Sequence, residues 1–146
     1  MANQRVPPDP YKGFRFRVEI DGIQQMGFME CSSVGSHLEV VEYREGGDPN
    51  NVRKLPGKAS YPDVTLKWGM TDNQELYKWH LDAVNGNIKR ASGSVVQLDD
   101  TGTEKLRWHF FNAWPSKWDG PAFNAKGNDV SIETLEICNE GVIRVK

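Results

Sequence analysis

The sequence predicts a mainly β fold, a β-barrel or sandwich with one α-helix near the middle, built as one domain over 1–146. Three features predict it. The stretch 14–20, FRFRVEI, sets Phe14, Phe16, Val18 and Ile20 against Arg15, Arg17 and Glu19, the period of a strand with one buried face. Val64, Leu66 and Trp68 alternate with Thr65 and Lys67 in the same way. Only the stretch that begins at Thr71 carries the three-to-four-residue apolar spacing of a helix.

In chain order, 1–13 contains Pro7, Pro8 and Pro10 and predicts an extended N-terminal arm, because proline has no N–H and restrains the residue before it. After the first strand, Asp21-Gly22 predicts a two-residue hairpin turn. The return strand, 23 to about 30, holds Gly27 as a bulge or close backbone approach. A connector over 32–36 leads to a strand at 37–43, where adjacent Val40 and Val41 imply two partly covered faces. Next comes 44–60, read as a long loop with Gly46, Gly47, Pro49, Pro56, Gly57 and charges of both signs. Structureless loops of this length are uncommon in compact domains and are usually functional or disordered.

The helix starts with Thr71 and Gln74, or Asp72 and Glu75, as a capping box. Leu76, Trp79 and Ala83 form one stripe and Tyr77, Leu81 and Val84 another. Asn85-Gly86-Asn87 is the stop, with Gly86 in the left-handed conformation. Strands resume over 88–98 and 104–114, joined by the turn Asp99-Asp100-Thr101-Gly102 and ended by Pro115. A second loop, 115–129, precedes strands over 130–137 and 142–145.

Composition narrows the function. A net charge of −2 argues against broad electrostatic binding to nucleic acid or anionic membrane. With 38% hydrophobic residues and mean hydropathy −0.62, no run approaches the roughly 18 apolar residues of a membrane helix. No membrane anchor is expected. The start, MANQRVPPDP, lacks the apolar centre of a secretory signal, so assembly in the bacterial cytoplasm is the default. Cys31 and Cys138 read as two reduced, partly buried thiols, with a disulfide left open.

Catalytic and ligand signals are sparse. His37, His80 and His109 show no metal-ligand spacing, and neither cysteine belongs to a C-x-x-C pair. No metal, cofactor or catalytic residue is therefore predicted. Ser33, His37 and Glu39 are near one another without a nucleophile elbow, and Asp99-Asp100 sits where turns favour aspartate anyway. A small β-barrel hydrolase is thus a weak reading. The run 107–118, RWHFFNAWPSKW, interleaves aromatics with Arg107, His109 and Lys117. It supports an alternative, a small β-barrel that stacks single-stranded nucleic acid on Trp114 and Trp118. A long, charged, catalytically empty loop points instead to gripping another protein.

Taken together, DPYKGFRFRVEIDG, KLPGKASYPDVTLKWGMTD, LYKWH, FFNAWPSKW and DVSIETLEICNEG resemble the phage tail tube family, the inner tube of contractile phage tails and contractile injection systems. The resemblance runs over nearly the whole chain. It implies a non-enzymatic structural protein: hexameric rings whose strands join into one continuous barrel, stacked into a rigid hollow tube. It also implies partners, namely a contractile sheath, baseplate and tube-terminating proteins, and luminal cargo of effector proteins or DNA, in a virion or an extracellular or anchored particle. By position, Arg44, Glu45, Asp48, Asn50, Arg53, Lys54 and Lys58 would make the contacts between stacked rings. Thr65 and Lys67 are the expected lumen-facing residues, opposite the apolar side of their strand.

Overall fold

The computed structural model describes residues 9–23, 27–44, 46, 52–127 and 130–146. Glu45, Asp48 and Asn50 lie outside them. Nine strands and one helix follow in order: β1 Phe16–Ile20, β2 Phe28–Cys31, β3 His37–Arg44, β4 Val52–Ser60, β5 Val64–Gly69, α1 Glu75–Val84, β6 Ala91–Leu98, β7 Glu104–Asp119, β8 Ile132–Cys138 and β9 Gly141–Arg144. The fold is mainly β and antiparallel, as the alternation predicts. Seven strands form one sheet, ordered β1-β6-β7-β8-β5-β2 with β9 also on β7, while β3 and β4 form a separate ribbon. Among the described residues the hydrogen-bonded path ends at β1 and β2.

Alternation places the core. Val18 and Ile20 of β1, Val64, Leu66 and Trp68 of β5, Phe110 and Ala113 of β7, and Leu135 and Ile137 of β8 point inward, closed off by Leu76 and Trp79 of α1. Trp79 is fixed by its indole N–H, which donates to the Lys89 carbonyl at 2.7 Å. Of the two helix stripes only the first is buried, since Leu81 and Val84 face outward.

Four local expectations are corrected. The Asp21-Gly22 turn exists, with Gly22 at φ 80 and Ile23 N–H donating to the Ile20 carbonyl, but β2 does not return along β1. It pairs with β5. The helix begins at Glu75 without a capping box; the Asn73 side-chain oxygen accepts the Glu75 N–H at 2.9 Å instead, another use of an Asx side chain at a helix start.

Pro115 does not end β7, which continues to Asp119. Its pairing shifts register with β6 between Phe110 and Ala113, where Asn112 takes a left-handed φ of 49, and again with β8 between Pro115 and Lys117. Asparagine tolerates that conformation, and its Nδ2 donates to Glu140 at 3.1 Å. Up to Ala113 β7 pairs with β6, over 108–111 also with β9, and from Trp114 onward with β8. Pro115 therefore sits where β7 has become an edge, and the His80 ring of α1 meets its carbonyl at 3.2 Å. Finally, 52–60 is strand, not loop, and forms half of the ribbon.

Candidate assembly interface

The ribbon is exposed nearly throughout. Its register puts Val41, Tyr43, Arg53 and Leu55 on one face and Leu38, Val40, Glu42, Arg44, Val52, Lys54, Pro56 and Ala59 on the other. A shift between Leu38 and Val40 leaves Glu39 opposite both Gly57 and Lys58. Gly57 fits tightly there, since a Cβ would lie 3.0 Å from Val41 Cγ2 and 3.2 Å from the Glu39 carbonyl. Leu38 and Val40 are each 60% exposed. A lone two-stranded ribbon is marginal in water, and apolar residues uncovered on both faces mark a surface that meets a partner. Among the described residues, no ion pair or side-chain hydrogen bond engages Arg44, Arg53, Lys54 or Lys58.

Thr65 and Lys67 lie on the outer face of β5, opposite Glu136 and Thr134 of β8. Lys117 and Asp119 of β7 oppose the same two β8 residues from the other side. Lys67 is 3.9 Å from Glu30 of β2, and Lys117 is 3.5 Å from Asp119. Basic and acidic side chains thus interleave across four neighbouring strands, a wall that is polar without being strongly of one sign.

The outer face of β1, β6 and β7 is different, because its charges are locked together. Arg107 donates to Glu19 at 2.8 Å and to Glu104 at 2.6 Å, and Arg17 donates to Glu19 at 3.0 Å. Val96, opposite Arg17 and Arg107 in the flanking strands, is fully buried on this side of the sheet, as expected under long charged side chains with apolar stems. The hydrogen bond from Arg107 lowers the Glu19 pKa below its ordinary value of 4.5, against a smaller opposing effect of burial.

Because the folded pKa lies below the unfolded one, this stabilisation is present above about pH 4.5 and fades as pH falls towards the lowered value. Glu19 is 43% exposed, so screening holds the effect within about 1 kcal/mol. Glu19→Gln should lose that amount at pH 7 in urea unfolding and match the parent more closely near pH 3. A loss that did not depend on pH would remove the ion pair as its cause.

The aromatic run at 107–118 does not form a stacking platform. Phe110 is in the core, Arg107 is tied to its acids, His109 meets Ser94 at 3.0 Å and the edge of Phe111, and Trp118 packs on Tyr77 with ring centres 4.9 Å apart. Asp99 organises its own turn, accepting from the Thr101 hydroxyl and from the Thr101 and Thr103 amides, which lowers its pKa. Cys31 and Cys138 are free thiols, and burial pushes Cys31 up to about 11, a protonated and unreactive state near neutrality. No described group of three His, Cys, Asp or Glu side chains is arranged to hold a metal, and no described helix is long and apolar enough to cross a membrane.

Residues 12–143 match the family model of the T4-like virus tail tube protein gp19. The chain belongs to this tail tube family. Solved structures agree over almost the full length. A chain of the PVC extracellular contractile injection system, from its sheath/tube terminator in the extended state, is 25% identical with TM-score 0.86, covering 97% of this chain and 100% of that one. A chain of the PVC sheath–tube complex in the extended state is 26% identical with TM-score 0.79, covering 92% and 90%. Hcp1 from Flavobacterium johnsoniae shares the fold alone, at 17% identity, TM-score 0.60 and coverage of 89% and 94%. Among curated proteins none matches the chain. The tail tube protein is thus a structural component of a contractile injection system or phage tail, and the nucleic-acid-binding alternative finds no support.

Proposed function

We propose that this tail tube protein closes into hexameric rings through the open edges at β1 and β2, and that the rings stack through the β3–β4 ribbon. The observation that carries the reading is the ribbon itself: two paired strands with apolar side chains exposed on both faces and four cations that carry no ion pair among the described residues. Arg44, Arg53, Lys54 and Lys58, with Glu45, Asp48 and Asn50 beside them in sequence, would make the contacts between rings. Closing a ring through head-to-tail contacts uses up strand edges that would otherwise promote aggregation.

In such a ring the β2–β5–β8–β7 face, with Thr65 and Lys67, would line the lumen. Its interleaved charges suit a conduit that lets DNA or effector proteins slide past without retaining either. The role is structural rather than catalytic. Sheath, baseplate and tube-terminating proteins would be the outer and end partners, with assembly in the bacterial cytoplasm. Negative-stain electron microscopy of concentrated protein, alone and with co-expressed sheath and baseplate proteins, tests this. Six-fold rings or stacked hollow tubes are expected. Monomers under both conditions would overturn the reading.

A further inference from the structure

The β3–β4 ribbon joins the rest of the chain through two short connectors, 32–36 and 61–63. The first reads Ser-Ser-Val-Gly-Ser, a composition that makes a flexible hinge in a free linker. Here it is tied down. The Ser32 N–H donates to the Thr65 carbonyl at 2.8 Å, and the Thr65 N–H donates back to the Ser32 hydroxyl oxygen at 2.8 Å. The same hydroxyl donates to the Asp63 carbonyl at 3.4 Å, so one serine fastens the first connector to the second. Val34 packs against the core, and a Cβ on Gly35 would lie 3.7 Å from Pro62 Cγ, which places the two connectors side by side.

A third element braces the joint. Asn139, in the turn between β8 and β9, donates from Nδ2 to the Pro62 carbonyl at 3.2 Å. Chemistry sets this orientation of the amide, since the reverse one would face two oxygens towards each other. The Asn139 Oδ1 is buried and meets no donor among the described residues. That is unfavourable, and a residue serving only the turn would avoid it. The turn is itself anchored. Its Glu140 N–H donates to the Phe111 carbonyl at 3.0 Å, and the Glu140 carboxylate accepts from Asn112 at 3.1 Å. A run of contacts thus leads from the register shift of β7 at Asn112, through the turn, to the base of the ribbon.

We infer that Ser32 and Asn139 are positioning residues for assembly: together they fix the angle at which the ribbon leaves the main sheet, so that it meets the neighbouring copy already aimed. The inference rests on the ribbon being the ring-to-ring contact. A ribbon free to swing about 32–36 would lose that freedom each time a ring stacks, which weakens association without removing any contact. Neither residue belongs to the ribbon, so both act at a distance from the surface they serve.

The test measures aim and assembly separately, on the full chain. Asn139→Asp keeps the side-chain shape but, once ionised, cannot donate to Pro62, and Ser32→Ala removes the hydroxyl. Cys31 and Cys138 are replaced by alanine in parent and variants alike. Spin labels at Glu42→Cys on the ribbon and Lys117→Cys on β7 then report the ribbon's angle in the unassembled subunit. The parent should give one narrow distance distribution. Each variant should broaden it and lower tube yield in pelleting about tenfold or more, with the melting temperature nearly unchanged. Ser32→Thr, which keeps the hydroxyl, should match the parent in both.

Residues that merely stabilised the fold would lower the melting temperature and leave the distribution narrow well below it. A narrow distribution in both variants, or a broad one with parental tube yield, would overturn the inference. Because the label distance is read without assembly, its failure removes the brace and leaves the ribbon contact standing. Parental tubes after reversal of the ribbon cations would remove the ribbon contact, and the purpose of the brace with it.

Discussion

Reversing the three ribbon cations, Arg53→Glu, Lys54→Glu and Lys58→Glu together, should abolish tube formation while leaving a folded subunit. All three side chains are exposed and carry no ion pair among the described residues, so within the subunit their loss costs little. Exposed substitutions of this kind stay within about 0.5 kcal/mol each. Lys54→Glu adds a small penalty because it faces Glu42 across the ribbon, where like charges repel by a few tenths of a kcal/mol. At a ring-to-ring contact the same change turns attraction into repulsion three times per subunit, and every subunit of a ring bears it simultaneously. Tube yield by electron microscopy and pelleting should fall at least about tenfold, with melting temperature nearly unchanged. Tubes of normal length and yield would remove the ribbon from the interface.

The ribbon also shows how far the sequence could be read. Its position and charges were legible, because a long stretch with glycines, prolines and no catalytic set is hard to place inside a domain. Its strand character was not. Pro56 and Gly57 argue against a strand under local rules, but a pair with two free edges tolerates proline, and a bulge absorbs the glycine. The same reasoning explains Pro115. It reads as a strand end because proline removes a ladder hydrogen bond, yet β7 changes partners between Ala113 and Trp114 and presents Pro115 on an edge. Nothing in FFNAWPSKW announces a corner. It becomes visible only when the partner strands are known.

The polar face at Thr65 and Lys67 was legible from alternation alone, since Val64, Leu66 and Trp68 could only face the core. The acids and lysine that join it from β2, β7 and β8 were not, because register decides which residues become neighbours across strands. Glu133 illustrates the limit. In sequence it is one more acid in an alternating strand, SIETLEIC. Only its place on the inward face, opposite Trp68, separates it from the outward Glu136.

Gly93→Ala should destabilise the subunit by about 3 kcal/mol, at the upper end of the usual cost of overpacking. Gly93 lies in β6 between Ile20 of β1 and Phe110 of β7. A Cβ built there would come within 2.8 Å of Phe110 Cε2, closer still to Cζ of the same ring, and 2.7 Å from the Glu19 carbonyl oxygen. Neither obstacle can give way cheaply. Phe110 is fully buried at the centre of the core, and the Glu19 oxygen is main chain of the neighbouring strand. To admit one methyl group, β1 must separate from β6 or the ring must leave its position, and either disturbs Val18, Ile20 and Phe110 together. In sequence Gly93 is only a glycine inside a strand, whereas in the structure it leaves room for the Phe110 ring beside it. Urea unfolding of Gly93→Ala against the parent measures the loss. As a control, Gly69→Ala, where an added Cβ meets nothing within 4 Å, should change stability by less than about 1 kcal/mol. Equal effects at the two glycines would mean that chain entropy, rather than the Phe110 contact, sets the cost.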